Sequence, residues 1–449
     1  MLGALPYLPL LDGDTIPTNT DYTRFTLPEL HQVRAALLDG VMLEWISAFY
    51  SGTPHSPVPN SAGLYVPLLV SIAMFGTVLG TAVANVAHLL FGALGAVALA
   101  RRAGAAPALA AFAALAYLWS APTRLLGWTL PMEAMGSAWA PWCFWLVLRA
   151  ADARKPLQIA AGGAAAGIAH AAIAWAGGYI SLLWGLLIAA LLLFVVVALQ
   201  RPLRAALMRA ALVMGALTVT SVGLLAGRVL PIRAWTAVTD RKDAIALENA
   251  MVGRLDGAGL LDAVGGEGWI LFGLAALGLV FALRERRVAA PGIALSAVLV
   301  GVCATGIATP FLHAYVPGFD PLRQPYRVWL VLPPLLAASA AFGLCRVAEA
   351  AAARGLSATL VSIVLAAAAG AESLWIERGV FDSAAQAPHP TSLRARLEHN
   401  GVLNEVVRLR GQEGPLRVHA FGATRVLLEN TQAPLATIPR NRIDGGHPR

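Results

Sequence analysis

Between Leu64 and Leu374 the chain is a train of long apolar segments, and the basic residues that part them fall in alternate gaps. Arg101 and Arg102 mark the first such gap, Arg149, Arg154 and Lys155 the next, then Arg201, Arg204 and Arg209, then Arg284, Arg286 and Arg287, then Arg346 and Arg354. The gaps between them carry acids. A helix needs about 20 apolar residues to cross the hydrocarbon layer, and a backbone in lipid must satisfy its own hydrogen bonds. The expected class is therefore an all-α polytopic membrane protein. Composition closes off the soluble alternative: 58% of the 449 residues are hydrophobic and 13% charged, against about 25% charged in an ordinary globular domain. The formal charge of +8 does not point to nucleic acid, because the 33 Lys and Arg residues are spread over short loops instead of one stripe. Its cause is topology, since cytoplasmic loops collect Lys and Arg.

About ten spans are expected on length, near 81–100, 105–120, 134–150, 157–175, 179–199, 210–230, 268–284, 291–312, 326–345 and 356–374. The five basic gaps then face the cytoplasm. The stretch before the first span, Ala121 to Glu133, Pro231 to Glu267, His313 to Pro325 and the tail after Trp375 face outward. Leu64 to Gly80 is apolar enough to cross, yet a full crossing there would invert every later loop, so it is expected to be an interfacial or re-entrant helix introduced by Pro67. This divides the chain into an outward first loop over 1–80, a transmembrane helical domain over 81–375, and an external tail over 376–449. The tail turns polar and partly alternating, as in Leu416 to Leu428, like the start of a short mixed domain. Met1 to Leu11 is too short to span and has no cleavage site. A first transmembrane helix upstream, and a truncated soluble domain at Arg449, are the expectation.

The soluble catalytic signatures are missing: no GxGxxG at a strand-to-helix turn, no phosphate-binding loop, no HExxH and no GxSxG. Gly162 to Gly167 places small residues at helical spacing, which reads as close helix packing in lipid. Cys143, Cys303 and Cys345 all lie in apolar stretches and form no disulfide or metal pattern.

Polar residues concentrate in the outward loops, so chemistry is sought there. The first loop holds Asp21-Tyr-Thr-Arg24-Phe25-Thr-Leu-Pro28, then Glu44-Trp45, then Ser51-Gly-Thr-Pro54, then Tyr65-Val-Pro67, with His88 in the helix that follows. A second block reads Val316-Pro-Gly-Phe319-Asp-Pro-Leu-Arg323-Gln-Pro325-Tyr-Arg327. In order and placement these blocks resemble the YfhO-like bacterial membrane proteins of the GT-C glycosyltransferase class, over roughly Asp14 to Leu374. Two positions depart from the group: Leu322 replaces an aromatic, and Trp45 lacks the Asn-Pro that commonly follows it.

The resemblance implies transfer of a sugar from a polyprenyl-phosphate carrier to an envelope glycan, lipid or protein, with inversion, on the outer face of the bacterial cytoplasmic membrane. Asp21 would be the catalytic carboxylate that orients or deprotonates the acceptor hydroxyl. Arg323 and Arg327 would hold the carrier phosphate, because guanidinium forks donate paired hydrogen bonds to phosphate oxygens and stay charged. His88, Glu133 and Arg24 are candidates for the pocket. A divalent metal is left open, and the partners are membrane lipid, the lipid-linked sugar and the acceptor. Local alternatives stand beside these roles. Asp21 would also serve as an N-cap for a helix over Phe25 to Leu38, Arg323 and Arg327 as snorkelling anchors, and Glu133 as an anion near a helix start. His170, like His88, lies within an apolar span, where a satisfied buried imidazole is expected. At the level of the whole chain the alternatives are a transporter or flippase of a lipid-linked sugar, or a non-catalytic component of an envelope assembly.

Overall fold

The computed structural model describes residues 2–13, 15–16, 22, 26–42, 45–46, 53–54, 64–177, 179–199, 202–236, 246–251, 254–285, 289–316, 325–383 and 391–392. A 3-10 helix, Leu2–Asp12, is followed by α1 (Leu27–Leu38), α2 (Val66–Phe75), α3 (Thr77–Ala103), α4 (Pro107–Trp119), α5 (Ala121–Thr129) and α6 (Pro131–Ser137). Then come α7 (Ala140–Ala151), α8 (Pro156–Trp175), α9 (Tyr179–Leu199), α10 (Leu203–Thr236), α11 (Leu247–Ala250), α12 (Gly257–Glu267), α13 (Trp269–Arg284), α14 (Ala289–Ala304) and α15 (Thr309–Tyr315). A second 3-10 helix, Pro325–Val331, leads into α16 (Pro333–Ala352) and α17 (Ala358–Ser383). Among the described residues the only strands are two-residue pairs: Thr15–Ile16 with Thr391–Ser392, and Trp45–Ile46 with Thr53–Pro54. The second pair joins two blocks of the first-loop pattern, with Trp45 opposite Pro54.

The protein is an integral membrane helical bundle. Five helices, α3, α8, α9, α10 and α16, are long and apolar enough to cross a bilayer unbroken. Three further pairs reach that length only with a bend: α4 with α5 at 50°, α12 with α13 at 97°, and α14 with α15 at 88°. Among the described residues that makes up to eight crossings, where ten are expected. The difference has local causes. The segment expected as one span over 134–150 breaks at Ala138 and Trp139 into α6 and α7, and the apolar part of α17 covers only Ala358–Ser373.

Leu64 to Gly80 behaves as its proline suggests. Pro67 sits in the first turn of α2, where a missing N–H costs nothing. The helix runs ten residues, about 15 Å at 1.5 Å per residue, half of what a crossing needs. Gly76 then takes φ +83°, a left-handed value that favours glycine, and the chain doubles back. Ser71 Oγ donates to the Gly80 carbonyl at 2.7 Å, and a Cβ on Gly80 would fall 2.5 Å from the Ser71 oxygen.

The basic gaps gather at one end of the bundle. Arg102 at the end of α3 pairs with Asp152 after α7, and Arg346 late in α16 pairs with Glu285 after α13 at 2.6 Å. Cys345 beside that pair lies against the backbone of Ala106, just past α3. Helices α8 and α10 run parallel, because a Cβ on Gly163 would meet the Val213 oxygen at 2.6 Å and one on Gly167 the Leu217 oxygen at 2.6 Å. The starts of both, with Lys155 and Arg204, therefore share one end. The glycines of the 162–167 run make this close approach, which bulkier residues would block. Elsewhere Leu207, Met208, Leu212, Val219, Val222 and Leu230 of α10 lie exposed, as a lipid-facing surface requires.

Candidate functional site

Toward the end of the bundle opposite the basic gaps lies a stripe of buried polar groups. Along α3, Thr77, Thr81, Asn85 and His88 are all buried and fall at i, i+4, i+8 and i+11, one face of a helix. Each meets a first-loop residue or a neighbouring short helix. Thr77 Oγ1 lies 3.4 Å from His31 Nδ1 of α1. Thr81 is hydrogen-bonded to the hydroxyl of Tyr22, which burial pushes up in pKa while that bond opposes the rise. Asn85 Nδ2 donates to the Gly127 carbonyl of α5 at 2.8 Å. Tyr22, Thr81, Asn85 and Pro131 line a small cavity of about 10 Å³, roughly the space one water needs, and Asn85 Oδ1 has no hydrogen-bond partner.

His88 closes the stripe. Trp139 Nε1 donates to the Tyr65 hydroxyl at 2.9 Å, Tyr65 bonds His88 Nε2 at 2.6 Å, and His88 Nδ1 bonds the Ala84 carbonyl at 2.7 Å. The indole can only donate and the carbonyl can only accept, so Tyr65 donates to Nε2 and Nδ1 holds the ring proton. Burial pushes the Tyr65 hydroxyl up to about 12, with the Trp139 N–H opposing, so it keeps its proton. The Tyr-x-Pro block and the helix histidine thus meet in one relay. Tyr65→Phe leaves a buried indole N–H and an imidazole nitrogen unpaired, a cost of about 2 kcal/mol. A lowered thermal midpoint in detergent checks it.

Asp21, Arg24 and Arg323 lie outside the described residues. Tyr22, next in the chain after Asp21, is buried at 2% exposure. Thr26, directly before α1, is itself in helical geometry and makes no side-chain cap bond, and the capping role weighed for Asp21 lies outside the described residues. Glu133 sits in the first turn of α6, where a helix start favours an anion, and accepts from Ser181 Oγ at 3.2 Å. A buried cation that the sequence reading missed, Arg228 of α10, lies over the Trp175 ring at 5.8 Å and close to the Glu29 carboxylate of α1. It was legible as a lone arginine inside an apolar run. Both ring nitrogens of His170 are taken, by Ser221 Oγ at 2.7 Å and the Leu182 carbonyl at 2.8 Å. Among the described residues no three His, Cys, Asp or Glu side chains converge as a metal site would need.

Arg327 is half-buried in the 3-10 helix that opens α16. Two residues on, Trp329 is buried, stacks on Phe272 at 6.3 Å and donates its indole N–H to Glu267 Oε1 at 2.9 Å. The other oxygen of Glu267 accepts from the Ala121 N–H at 3.3 Å. Helix α5 therefore touches both groups: its first residue meets Glu267, and Gly127 accepts from Asn85. Six residues of helix separate these contacts, a rise of about 9 Å. The chain neighbouring Asp21 and the segment bearing Arg327 thus come to one end of the bundle, on either side of one nine-residue helix.

No family description matches this chain, and no curated protein is similar to it in sequence. Solved structures do share its fold. ArnT from Cupriavidus metallidurans bound to undecaprenyl phosphate aligns at 15% identity with a TM-score of 0.53, over 85% of this chain and 71% of that one. The arabinofuranosyltransferase AftD from Mycobacteria aligns at 15% identity with a TM-score of 0.54, over 98% of this chain but only 31% of the other. What these chains share is the fold.

Proposed function

We propose that this chain is a GT-C glycosyltransferase of YfhO-like type. It transfers a sugar from a polyprenyl-phosphate carrier to an envelope acceptor, and the end of the bundle that bears Tyr22 and Arg327 faces outward from the cytoplasmic membrane. The observation that carries this reading is that the Tyr22 segment, through Thr81 and Asn85 of α3, and the Arg327 segment, through Trp329 and Glu267, are linked to the two ends of α5. The outward assignment follows from the opposite end collecting the basic gaps.

The chemistry needs a base and a cationic cradle. Asp21 takes the proton of the acceptor hydroxyl as its oxygen bonds the anomeric carbon. The bond from that carbon to the carrier phosphate breaks from the other side, its electron pair leaves with the phosphate, and the configuration inverts. Arg323 and Arg327 hold the departing phosphate through charge-assisted hydrogen bonds. That undecaprenyl phosphate is bound by ArnT, which shares the fold, supports a carrier of this kind.

The test is a reconstituted assay with undecaprenyl-phosphate-linked hexoses and pentoses, reading free undecaprenyl phosphate and glycosylated product by mass spectrometry. Arg327→Ala is expected to raise KM for the carrier by about 10-fold to 100-fold, the scale of a lost hydrogen bond to a charged group, with kcat little changed. Movement of the lipid-linked sugar across vesicles with no new glycosidic bond would replace the enzyme with a flippase.

A further inference from the structure

We propose that Glu267 is a positioning residue for the carrier clamp, holding the Arg327 segment in place through Trp329. The inference rests on the function proposed above and extends it to a residue that no motif singles out.

Glu267 ends α12 and is 1% exposed. A carboxylate so placed is costly unless each oxygen is hydrogen-bonded. Here each oxygen has its own donor, the Trp329 indole and the Ala121 backbone, and the Arg124 guanidinium supplies opposite charge. The acid joins α5, the α12–α13 corner and the 3-10 helix that carries Arg327. Its own position is fixed independently. Gly268, the next residue, takes φ +103°, and a Cβ there would approach Glu372 Oε2 at 3.0 Å. Glu372 in turn accepts from the N–H groups of Trp269 and Ile270 at 2.9 and 2.8 Å, capping the first turn of α13. Glu267 is thus held by the corner and acts on Trp329.

Trp329 passes the constraint on. Its ring is wedged against Phe272, and Arg327 precedes it by two residues, about 4 Å of 3-10 rise. The Arg327 side chain reaches its place from a backbone that Glu267 anchors. A carboxylate is required because it only accepts. In Glu267→Gln one oxygen becomes an NH2 facing an N–H, so one of the two donors, the Trp329 indole or the Ala121 amide, loses its acceptor and the bridge between α5 and Trp329 is broken.

The experiment titrates the full chain in nanodiscs with undecaprenyl phosphate as probe, for Glu267→Gln, Trp329→Phe, Arg327→Ala and the double variants. Trp329→Phe keeps an aromatic ring against Phe272 and removes the N–H together with the second ring, so it reports even where Glu267→Gln folds poorly. Each of the first two is expected to raise Kd about tenfold, the scale of one buried hydrogen-bonding group left unpaired. Combined with Arg327→Ala, neither adds more than about twofold, because groups acting through one another are not additive. In the transfer assay KM for the carrier rises in parallel and kcat stays within about twofold. Unchanged Kd in both single variants, or full additivity with Arg327→Ala, overturns the positioning role while leaving the carrier site standing. No change in Kd for Arg327→Ala itself overturns both.

Discussion

Asp21→Asn is expected to lower sugar transfer by about 10²-fold to 10⁴-fold, the contribution of a positioned general base, with insertion and yield unchanged. The amide is nearly the same size but has no basic oxygen for the acceptor proton. The fold should tolerate it, because the described packing of this region rests on Tyr22 against Thr81 and on Leu27 and Leu30 in the core. Binding of undecaprenyl phosphate should also survive, since the arginines assigned to it are distant in sequence. Turnover per mole of folded protein, measured beside carrier affinity, separates these effects. Equal turnover in the variant removes Asp21 as the base. A parallel loss of carrier affinity assigns it to the phosphate site instead.

What the sequence made legible was what depends on the solvent. Lipid forces long apolar helices, and charge bias sets their direction, so the alternate Arg and Lys gaps foretold that Arg102, Arg346, Lys155 and Arg204 would share one end. Pro67 announced a short helix, and the glycines near 162–167 a close helix contact, because each acts through its own backbone geometry. The number of crossings was less legible. The expected spans already stop at 120 and start at 268, where the helices break, but the break at Ala138 with Trp139 sits within an apolar run that hydropathy cannot divide.

The candidate site divides along the same line. His88 and Tyr65 were visible as motif members, but their hydrogen bond was not, nor the stripe of Thr77, Thr81 and Asn85 beside them. Threonine and asparagine interrupt an apolar run too weakly to stand out, and only the helical spacing links them. Glu267 and Trp329 are 62 residues apart, and nothing local to either indicates the other. Such a pair is created by the crossing of helices that brings distant segments together.

That crossing carries the largest structural prediction. Gly278 of α13 and Gly343 of α16 lie where the two backbones touch, and a Cβ on Gly343 would overlap the Leu274 carbonyl oxygen, with the Gly278 nitrogen at 2.9 Å. Neither neighbour is a side chain that can swing away, so one helix must move. Gly343→Leu is expected to cost about 3 kcal/mol or more, the upper range for overpacking a core. Folded yield in detergent should collapse and the thermal midpoint fall. Gly301→Ala in α14 is the control. A Cβ there meets nothing within 4 Å, and removing a helical glycine should stabilise by about 0.5–1 kcal/mol. The consequence reaches the site because Glu267 stands directly before α13 and the Arg327 segment directly before α16. Prising the crossing apart separates Glu267 from Trp329. Gly343→Ala, the mildest intrusion, should therefore weaken binding of undecaprenyl phosphate at temperatures where the protein is still folded. Unchanged affinity in a Gly343→Ala variant with a lowered midpoint would mean that the crossing supports stability alone.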